Sequence, residues 1–329
     1  MTSMDKRSFL MYVELANVWK RMKKRGRMWE DFYVFKERVL WELARDLVAG
    51  EYAHGEYRKF EVREKKRRDI FVAEPRDRVV QRWAYECLVE KWDKRFDGDV
   101  WSNRKGKGLE RCLLRVRKLL QRYGDGAYIW RGDVTKFFDN VSHEVLYGQL
   151  SRVEVAEILG RAVLEIIKSY EVKPGVGIPI GNVTSQVLSN VYMSEWDRFA
   201  RGELRAMAYV RYGDDFLCFF RTRREAEEGR RSGKVFFEGK LRLEVNGKND
   251  VIFGTGEPVH FCGHVITKGY IVVGKRTSGA VTERVNVGNI ASYKSLRVVR
   301  EVKDGINYKV LRGIEGVYYE SAIDFFGEA

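Results

Sequence analysis

The chain has 329 residues, of which 44% are hydrophobic and 33% charged, and its formal net charge is +14. This composition predicts a globular protein of one large domain or two to three subdomains and argues against a disordered chain. The excess of lysine and arginine favours a polyanionic partner, nucleic acid ahead of an anionic membrane surface. The four cysteines form no CxxC pair, which argues against a zinc site or disulfide framework and fits a reduced compartment.

The N-terminal part predicts helices and one hairpin. Residues 4–24 and 29–49 read as helices, and 57–74 reads as a β-hairpin with a basic turn at Lys65–Arg68. The start resembles an amphipathic segment rather than a signal peptide, and no apolar run approaches the roughly 18 residues that span a bilayer. We therefore expect a cytoplasmic protein without a membrane partner. The basic turn favours phosphate binding, and a solvated charged face is the alternative.

Basic and acidic motifs follow in turn. A helix from Arg76 to about Phe96 precedes the loop Asn103–Gly108, in which glycines between cations would let the backbone approach phosphates. The loop lacks P-loop spacing, and a solvated loop is the alternative. After a helix over about 109–122, a strand over 127–134 carries Asp133 at its end. A carboxylate there is costly without a partner, which makes it a candidate metal ligand.

A small-residue helix precedes the central hairpin. After a helical stretch from Ser142 and a helix around 154–170, the block Val176–Gln186 opens a long helix that ends near Arg201. Gly181, Ser185 and Ser189 recur every four residues and share one helix face. That face could accept a flat base pair, and close packing on another helix is the alternative.

The segment Tyr209–Phe220 predicts two strands joined at Gly213-Asp214-Asp215. Adjacent carboxylates at a turn repel each other, and Mg²⁺, a hard oxygen-seeking cation, would neutralise them. An ordinary acidic turn is the alternative. Beyond it we predict a charged helix over 223–240, a strand over Leu241–Asn246 and a second hairpin near Phe261–Val273. Residues 274–329 predict a basic loop and one or two helices.

The order of these blocks resembles the fingers–palm–thumb reverse transcriptases across roughly residues 57–273. The blocks are the basic hairpin, RKGKG, a strand-end Asp before KFFDN, IPIGNVTSQ, YGDD, a strand followed by Lys, and FCGHVI. The compact length and IPIGNVTSQ make the chain most similar to the enzymes of diversity-generating retroelements. Two departures are the Gly of YGDD, where Met or Ala is commoner, and a C-terminal region with little resemblance.

The resemblance implies an α+β right-hand polymerase with an antiparallel palm sheet flanked by helices. It implies a helical N-terminal extension (1–56), fingers (57–126), a palm (127–266) with a fingers insertion at about 142–180, and a short thumb (267–329). Asp133 and Asp214 would hold two Mg²⁺ ions, or Mn²⁺, with Asp215 supporting, and Lys248 would protonate pyrophosphate.

Further site residues follow from the same resemblance. Those expected at the incoming dNTP are Lys66, Arg68, Arg76, Val134, Phe138, Ile180, Gly181 and Gln186, of which Phe138 would exclude a 2′-hydroxyl. Those expected at the nucleic acid are Arg78, Arg104, Lys105, Lys107, Ser185, Tyr212, Phe261 and Gly263, the last two in the primer grip.

The implied function is error-prone cDNA synthesis in mutagenic retrohoming, in a prokaryotic or phage-encoded setting. The implied partners are template RNA, the primer or cDNA strand, dNTPs and a small basic accessory protein oligomer. The alternatives are a phage-defence, retron-like or CRISPR-associated reverse transcriptase, a viral-type RNA-dependent RNA polymerase, and an inactive RNA-binding protein. The SGxxxT block of the viral enzymes is absent.

Overall fold

The computed structural model describes residues 3–22, 29–63 and 67–274, and the chain divides into two compact units. Unit 1 comprises residues 1–97, 135–197 and 236–244, and unit 2 comprises 98–134, 198–235 and 245 onward. The expected C-terminal helices, and the proposed thumb (267–329) beyond Gly274, lie outside the described residues. The described part mixes helices with antiparallel sheets, as the sequence predicts.

The helices begin and end close to the predicted positions, but the helix face predicted for Gly181, Ser185 and Ser189 is wrong at Gly181, which has φ of +112° and precedes the helix that begins at Val183. They are α1 (Ser3–Arg21), α2 (Glu30–Ala49), α3 (Pro75–Trp92), α4 (Leu109–Tyr123), α5 (Phe137–Asn140), α6 (His143–Leu150), α7 (Glu157–Lys168), α8 (Val183–Gly202) and α9 (Arg223–Phe236). A 3₁₀ turn at Asp93–Arg95 extends α3, and a π-helical turn at Phe237–Leu241 follows α9.

Within the described ranges, the strands form three antiparallel sheets. They are β1 (Tyr57–Arg63), β2 (Arg67–Ala73), β3 (Tyr128–Gly132), β4 (Ala208–Tyr212), β5 (Asp215–Phe220), β6 (Val251–Gly254), β7 (Val259–Phe261), β8 (His264–Ile266) and β9 (Ile271–Val273). β1 and β2 form the hairpin of unit 1. In unit 2, one sheet has the order β4-β5-β3-β6 and the other the order β7-β8-β9.

One predicted strand is wrong. Residues 241–246 alternate between buried and exposed side chains as a strand would, but only Val245 forms a bridge, to Val134. The π-helical turn ends at Leu241, and Arg242 takes a left-handed conformation with φ of 52°, so no ladder forms there. The strand that pairs with β3 on this side is β6, which comes later in the chain.

The core of unit 2 lies between α4 and the two sheets. The buried residues of α4 are Cys112, Leu113, Val116, Leu119 and Leu120, an apolar stripe with helical spacing. They pack with inward-facing residues of β3, β4 and β5 and with Phe261 and Ile266 of the small sheet. This packing fixes the sheet edge at which the acidic residues lie.

Candidate active site

The β4–β5 turn is held at both polar groups of Gly213. Tyr212 pairs with Asp215, which leaves Gly213 and Asp214 as the turn. Gly213 has φ of +68°, a left-handed conformation that favours glycine. Its N–H donates to Ser102 Oγ at 2.9 Å, and its carbonyl accepts from Arg211 Nη1 at 2.9 Å. The position of the two aspartates therefore depends on buried polar contacts within unit 2.

The segment before Ser102 runs alongside β4. Arg211 N–H donates to the Asp99 carbonyl, and Trp101 N–H donates to the Arg211 carbonyl, both at 2.9 Å. The buried Asp99 carboxylate accepts two bonds from Arg115, at 2.8 and 2.9 Å, and one from Arg201 at 2.9 Å. Fixed charges therefore hold this segment against the β4–β5 hairpin.

Strand register brings Asp133 beside the hairpin. Gly132, the last residue of β3, pairs with Phe216, so the next antiparallel position sets Asp133 opposite Asp215. Opposed residues of antiparallel strands have Cα atoms about 4.5–5.5 Å apart. A Cβ on Gly132 would meet Phe216 Cζ at 2.5 Å, so glycine is required for this approach.

The acidic residues share one face of the sheet. Ile129 and Leu217 both contribute to the unit 2 core, and side chains alternate between faces along a strand. Asp133 and Asp215 have the same parity as these two residues, so they project toward the α4 side. The Asp133 and Asp215 side chains thus lie on one face at the same end of neighbouring strands, and Asp214 precedes Asp215 in the turn. We call these three residues the acidic edge.

The Asp133 carboxylate has one bonded and one open oxygen. Oδ2 accepts from Asn249 Nδ2 at 2.8 Å and from Asn246 Nδ2 at 3.5 Å. Oδ1 is buried and has no hydrogen-bond partner among the described residues. An unsatisfied buried carboxylate oxygen is costly, and a bound cation would remove that cost.

The residues fit a divalent cation whose coordination the substrate completes. Across the described ranges, no three His, Cys, Asp or Glu side chains are grouped so as to hold a metal by themselves. Mg²⁺ usually takes only one or two protein carboxylates and fills its remaining positions with water and substrate phosphates. Asp133, with Asp214 or Asp215, meets that requirement.

The β7–β8 turn lies beside the two turn aspartates. Burial raises the pKa of the Cys262 thiol well above its usual value, and the negative charges of Asp215 and Asp214 raise it further. The thiol is therefore neutral at physiological pH and adds no charge to the acidic edge. Cys262 and Gly263 both have positive φ, as expected for a tight turn, and the side chain of Phe261 is buried in the core.

Three residues expected at the incoming nucleotide are anchored within unit 1. The Ile180 carbonyl accepts from Phe71 N–H at 2.9 Å, which fixes this loop to β2. Gly181 has φ of +112°, and a Cβ there would meet Ile70 Cγ2 at 2.7 Å. The Phe138 carbonyl accepts from Ile178 N–H at 2.9 Å. Glycine at 181 therefore permits a close approach to the hairpin.

The predicted cationic grip is described only in part. Lys66 lies outside the described residues, and Arg68 is exposed. Arg76 pairs with Asp46 at 3.7 Å, and Arg78 lies 5.1 Å from the Trp29 ring centroid. Desolvation lowers the pKa of Arg78. Both arginines thus contact the N-terminal part of unit 1, and no described contact joins them into a phosphate site.

Two cations of the loop Asn103–Gly108 contact the residues that immediately precede the loop. Lys107 Nζ donates to the Gly98 carbonyl at 2.6 Å and lies 4.2 Å from the Trp101 ring centroid. Arg104 Nη1 donates to the Val100 carbonyl at 3.3 Å. Lys105 is exposed, so its charge faces solvent.

The remaining predicted residues differ in exposure. Ser185 is buried and donates to the Pro179 carbonyl at 2.7 Å, so its hydroxyl holds the loop and does not face a ligand. Val134 is buried, Tyr212 is half-buried, and Gln186 and Lys248 are exposed.

Sequence reasoning missed Ser102, Asn246 and Asn249. The two asparagines flank Lys248 in NGKND, and this concentration of short polar residues after Val245 was the available signal.

The chain matches a protein-family model over the range that contains the candidate site. The model described as "Reverse transcriptase (RNA-dependent DNA polymerase)" matches residues 57–266. This range contains all three aspartates and the three hairpins that carry predicted site residues, β1–β2, β4–β5 and β7–β8. No described helix has the combination of length and apolar character that a membrane crossing needs.

Curated relatives are distant. The chain is 25% identical to "Protein YkfC" of Escherichia coli K12, over 60% of this chain and 63% of that protein. It is 20% identical to "Group II intron-encoded protein LtrA" of Lactococcus lactis subsp. cremoris, over 85% of this chain and 58% of that protein. It is 27% identical to "Putative COX1/OXI3 intron 1 protein" of Saccharomyces cerevisiae, over 40% of this chain and 16% of that protein. The chain thus spans less than two thirds of the length of each.

Proposed function

The chain belongs to the reverse transcriptase family, and from that premise we propose that it is an RNA-directed DNA polymerase that makes cDNA from a template RNA. The observation that carries the proposal is the Asp133 carboxylate, whose Oδ1 is buried and unbonded within the described chain, beside the Asp214-Asp215 turn. A binding protein would gain phosphate affinity by losing these carboxylates, whereas a polymerase needs them for its cations.

The roles of the acidic edge follow from its chemistry. Two Mg²⁺ ions, when bound, would activate the primer 3′-hydroxyl and stabilise the leaving pyrophosphate. Asp133 and Asp214 would hold these ions, and Asp215 would support them. Lys248 is the proposed proton donor to pyrophosphate, since it is exposed and lies in the turn between Asn246 and Asn249, which both contact Asp133.

The roles of unit 1 concern the substrate. Phe138 excludes a 2′-hydroxyl and so selects dNTPs, while Ile180, Gly181 and Gln186 border the nascent base pair. Lys66 and Arg68 of the β1–β2 hairpin grip the triphosphate. The close contact of Gly181 with β2 supports this grouping, because it holds two predicted substrate elements together within the unit.

The division into fingers, palm and thumb at the boundaries given above is part of the same proposal. The four-stranded antiparallel sheet supports a palm, and the β1–β2 hairpin supports fingers. Template RNA and primer would contact Arg104, Lys105 and Lys107, and the primer end would meet the β7–β8 turn.

Two subclasses of reverse transcriptase are considered, which differ in the genetic element that the enzyme copies. We favour a diversity-generating retroelement, with frequent errors at template adenines and a small basic accessory protein, because of IPIGNVTSQ and the compact length. The second candidate is an intron-associated reverse transcriptase, which the names of two relatives favour. The phage-defence, retron-like and CRISPR-associated classes remain alternatives.

The test is to sequence cDNA made by the chain from a defined RNA template with Mg²⁺ and dNTPs, beside Asp214→Asn as a control. We expect product from the native chain, none from the variant, and errors concentrated at template adenines. Replacing dNTPs with NTPs should abolish product if Phe138 selects the sugar.

Different results separate the alternatives. Accurate copying would contradict the diversity-generating role and favour an intron-associated enzyme. Equal product with NTPs would favour an RNA polymerase. If a small basic protein encoded beside this chain were added and product still failed to form, the polymerase proposal would be overturned in favour of a silent RNA-binding protein.

A further inference from the structure

A polar turn follows Val245 and is fixed to the end of β3. Asn246 N–H donates to the Asp133 carbonyl at 2.9 Å, and Asn249 N–H donates to the Asn246 carbonyl at 2.9 Å. Lys248 N–H donates to Asn246 Oδ1 at 3.2 Å. These bonds fix the conformation of the turn, and none of them involves the Asp133 carboxylate.

The same turn supplies side-chain donors to Asp133. Because Asn246 Oδ1 is used by Lys248, the Nδ2 group of Asn246 is the one that faces the carboxylate. It lies 3.5 Å from Oδ2, at the limit of a hydrogen bond, while Asn249 Nδ2 lies 2.8 Å from the same oxygen. Asn249 therefore makes the principal bond.

The two carboxylate oxygens are consequently unequal. Oδ2 is saturated by neutral amides, whereas the buried Oδ1 finds no donor in the described part of the chain. A lysine or arginine in place of Asn249 would neutralise the carboxylate and compete with a metal. An amide holds the carboxylate in place and leaves its charge available.

We infer that Asn249, assisted by Asn246, is a positioning residue that presents Asp133 Oδ1 to a divalent cation. This inference rests on the proposed function and adds to it a residue that acts through Asp133 without touching substrate. Outer partners of metal ligands typically change metal affinity or activity by about 10-fold to 100-fold when removed.

The test measures metal binding directly. Mn²⁺ would be titrated into the full-length chain with a chain-terminated primer, template RNA and dNTP, and free Mn²⁺ followed by electron paramagnetic resonance. We expect Asn249→Ala, and Asn249→Leu of more similar volume, to raise the Mn²⁺ dissociation constant by about 10-fold or more. Asp133→Ala defines the signal of a chain without this ligand.

The matched control is Gly247→Ala in the same turn. Gly247 is exposed, its φ is not positive, and a Cβ there would meet no atom of the described residues within 4 Å. It should bind Mn²⁺ like the native chain. In steady-state assays, Asn249→Ala should lower kcat and raise the Mg²⁺ requirement, with little change in the KM for dNTP.

The outcomes are distinct from those of the proposed function. Absence of cDNA from the native chain would count against the polymerase, while Mn²⁺ affinity would still report on Asn249. Native Mn²⁺ affinity in both Asn249 variants would overturn the inference. Unfolding of both variants, seen as a lost thermal transition, would assign Asn249 a structural role and would also overturn it.

Discussion

At the scale of single residues, the acidic edge is held by contacts that add no further negative charge. Ser102 and Arg211 fix Gly213, and Asn249 fixes Asp133. None of these contacts adds an anion, so the negative charge at this edge comes from the aspartates themselves. We expect substitution of the two neutral residues, Ser102 and Asn249, to change the geometry of the site without changing its charge.

Ser102→Ala tests the support of the turn. The variant leaves the Gly213 N–H without its acceptor, which costs about 1–3 kcal/mol when the group stays buried. We expect a lower free energy of unfolding and a lower kcat for cDNA synthesis, measured by urea titration and primer extension. The exposed Ser151→Ala is the control, and equal results for both variants would refute a role for Ser102.

Ile180→Gln tests the origin of errors. An apolar side chain at Ile180 would hold the incoming nucleotide less tightly than a hydrogen-bonding one, so glutamine should reduce errors at template adenines. The measurement is cDNA sequencing beside Ile180→Leu, which should keep the native error profile. If the adenine errors of the glutamine variant are unchanged, the hypothesis is abandoned.

At the scale of elements, the pairing of β3 with β5 determines where Asp133 lies. The Phe216 ring packs directly against Gly132 on one face of the sheet. The apolar stripe of α4 packs against the opposite face. The register therefore depends on a residue without a side chain. A substitution there should act on stability and on the aspartates together.

Gly132→Ala should cost about 1–3 kcal/mol, because its Cβ would meet the Phe216 ring in a packed core. Gly126→Ala, just before the same strand, has open space among the described residues and should be near neutral. Urea unfolding of the two variants provides the comparison. A Gly132 variant as stable as the Gly126 variant would show that the sheet shifts without cost.

At the scale of the whole molecule, each unit has its own core. In unit 1, the phenols of two tyrosines and the thiol of one cysteine couple stability to pH. Burial raises the pKa of Tyr192 and of Tyr57 to about 12, and that of Cys87 to about 11. Their ordinary values are 10.0 for Tyr and 9.0 for Cys. The unfolded chain therefore releases these protons at lower pH than the folded chain.

The sign of the effect follows from this difference. The stabilisation is complete below pH 9 and is lost as pH rises toward 12, because ionisation favours the unfolded chain. A rise in pKa from 10.0 to about 12 corresponds to about 3 kcal/mol for a fully buried group such as Tyr192. Urea unfolding at pH 8, 10 and 11.5 should show the decline.

Tyr192→Phe is the matched variant for this pH dependence. It removes the titrating hydroxyl together with its bonds to Ser142 and Leu241, so it should be less stable at pH 8. Its free energy of unfolding should then fall less steeply between pH 10 and 11.5 than that of the native chain. An identical slope would show that Tyr192 does not contribute.

The sequence by itself determined the order of helices and hairpins, the placement of Asp133 at a strand end and the acidic β4–β5 turn. These features are local, since hydrophobic period and turn residues act over a few positions. The alternation in residues 241–246 also predicted burial correctly at Leu243 and Val245, but the strand was wrong. Burial pattern and ladder pairing are separate properties, and only the second needs a partner.

Only the tertiary structure decided which residues meet. Register aligned Asp133 with Asp215, and distant segments brought Ser102 to Gly213 and Asn249 to Asp133. These pairings join residues 82 or more positions apart, and no local pattern in one sequence encodes them. They depend on the packed core of unit 2, which fixes the backbone closely enough for short side chains to reach.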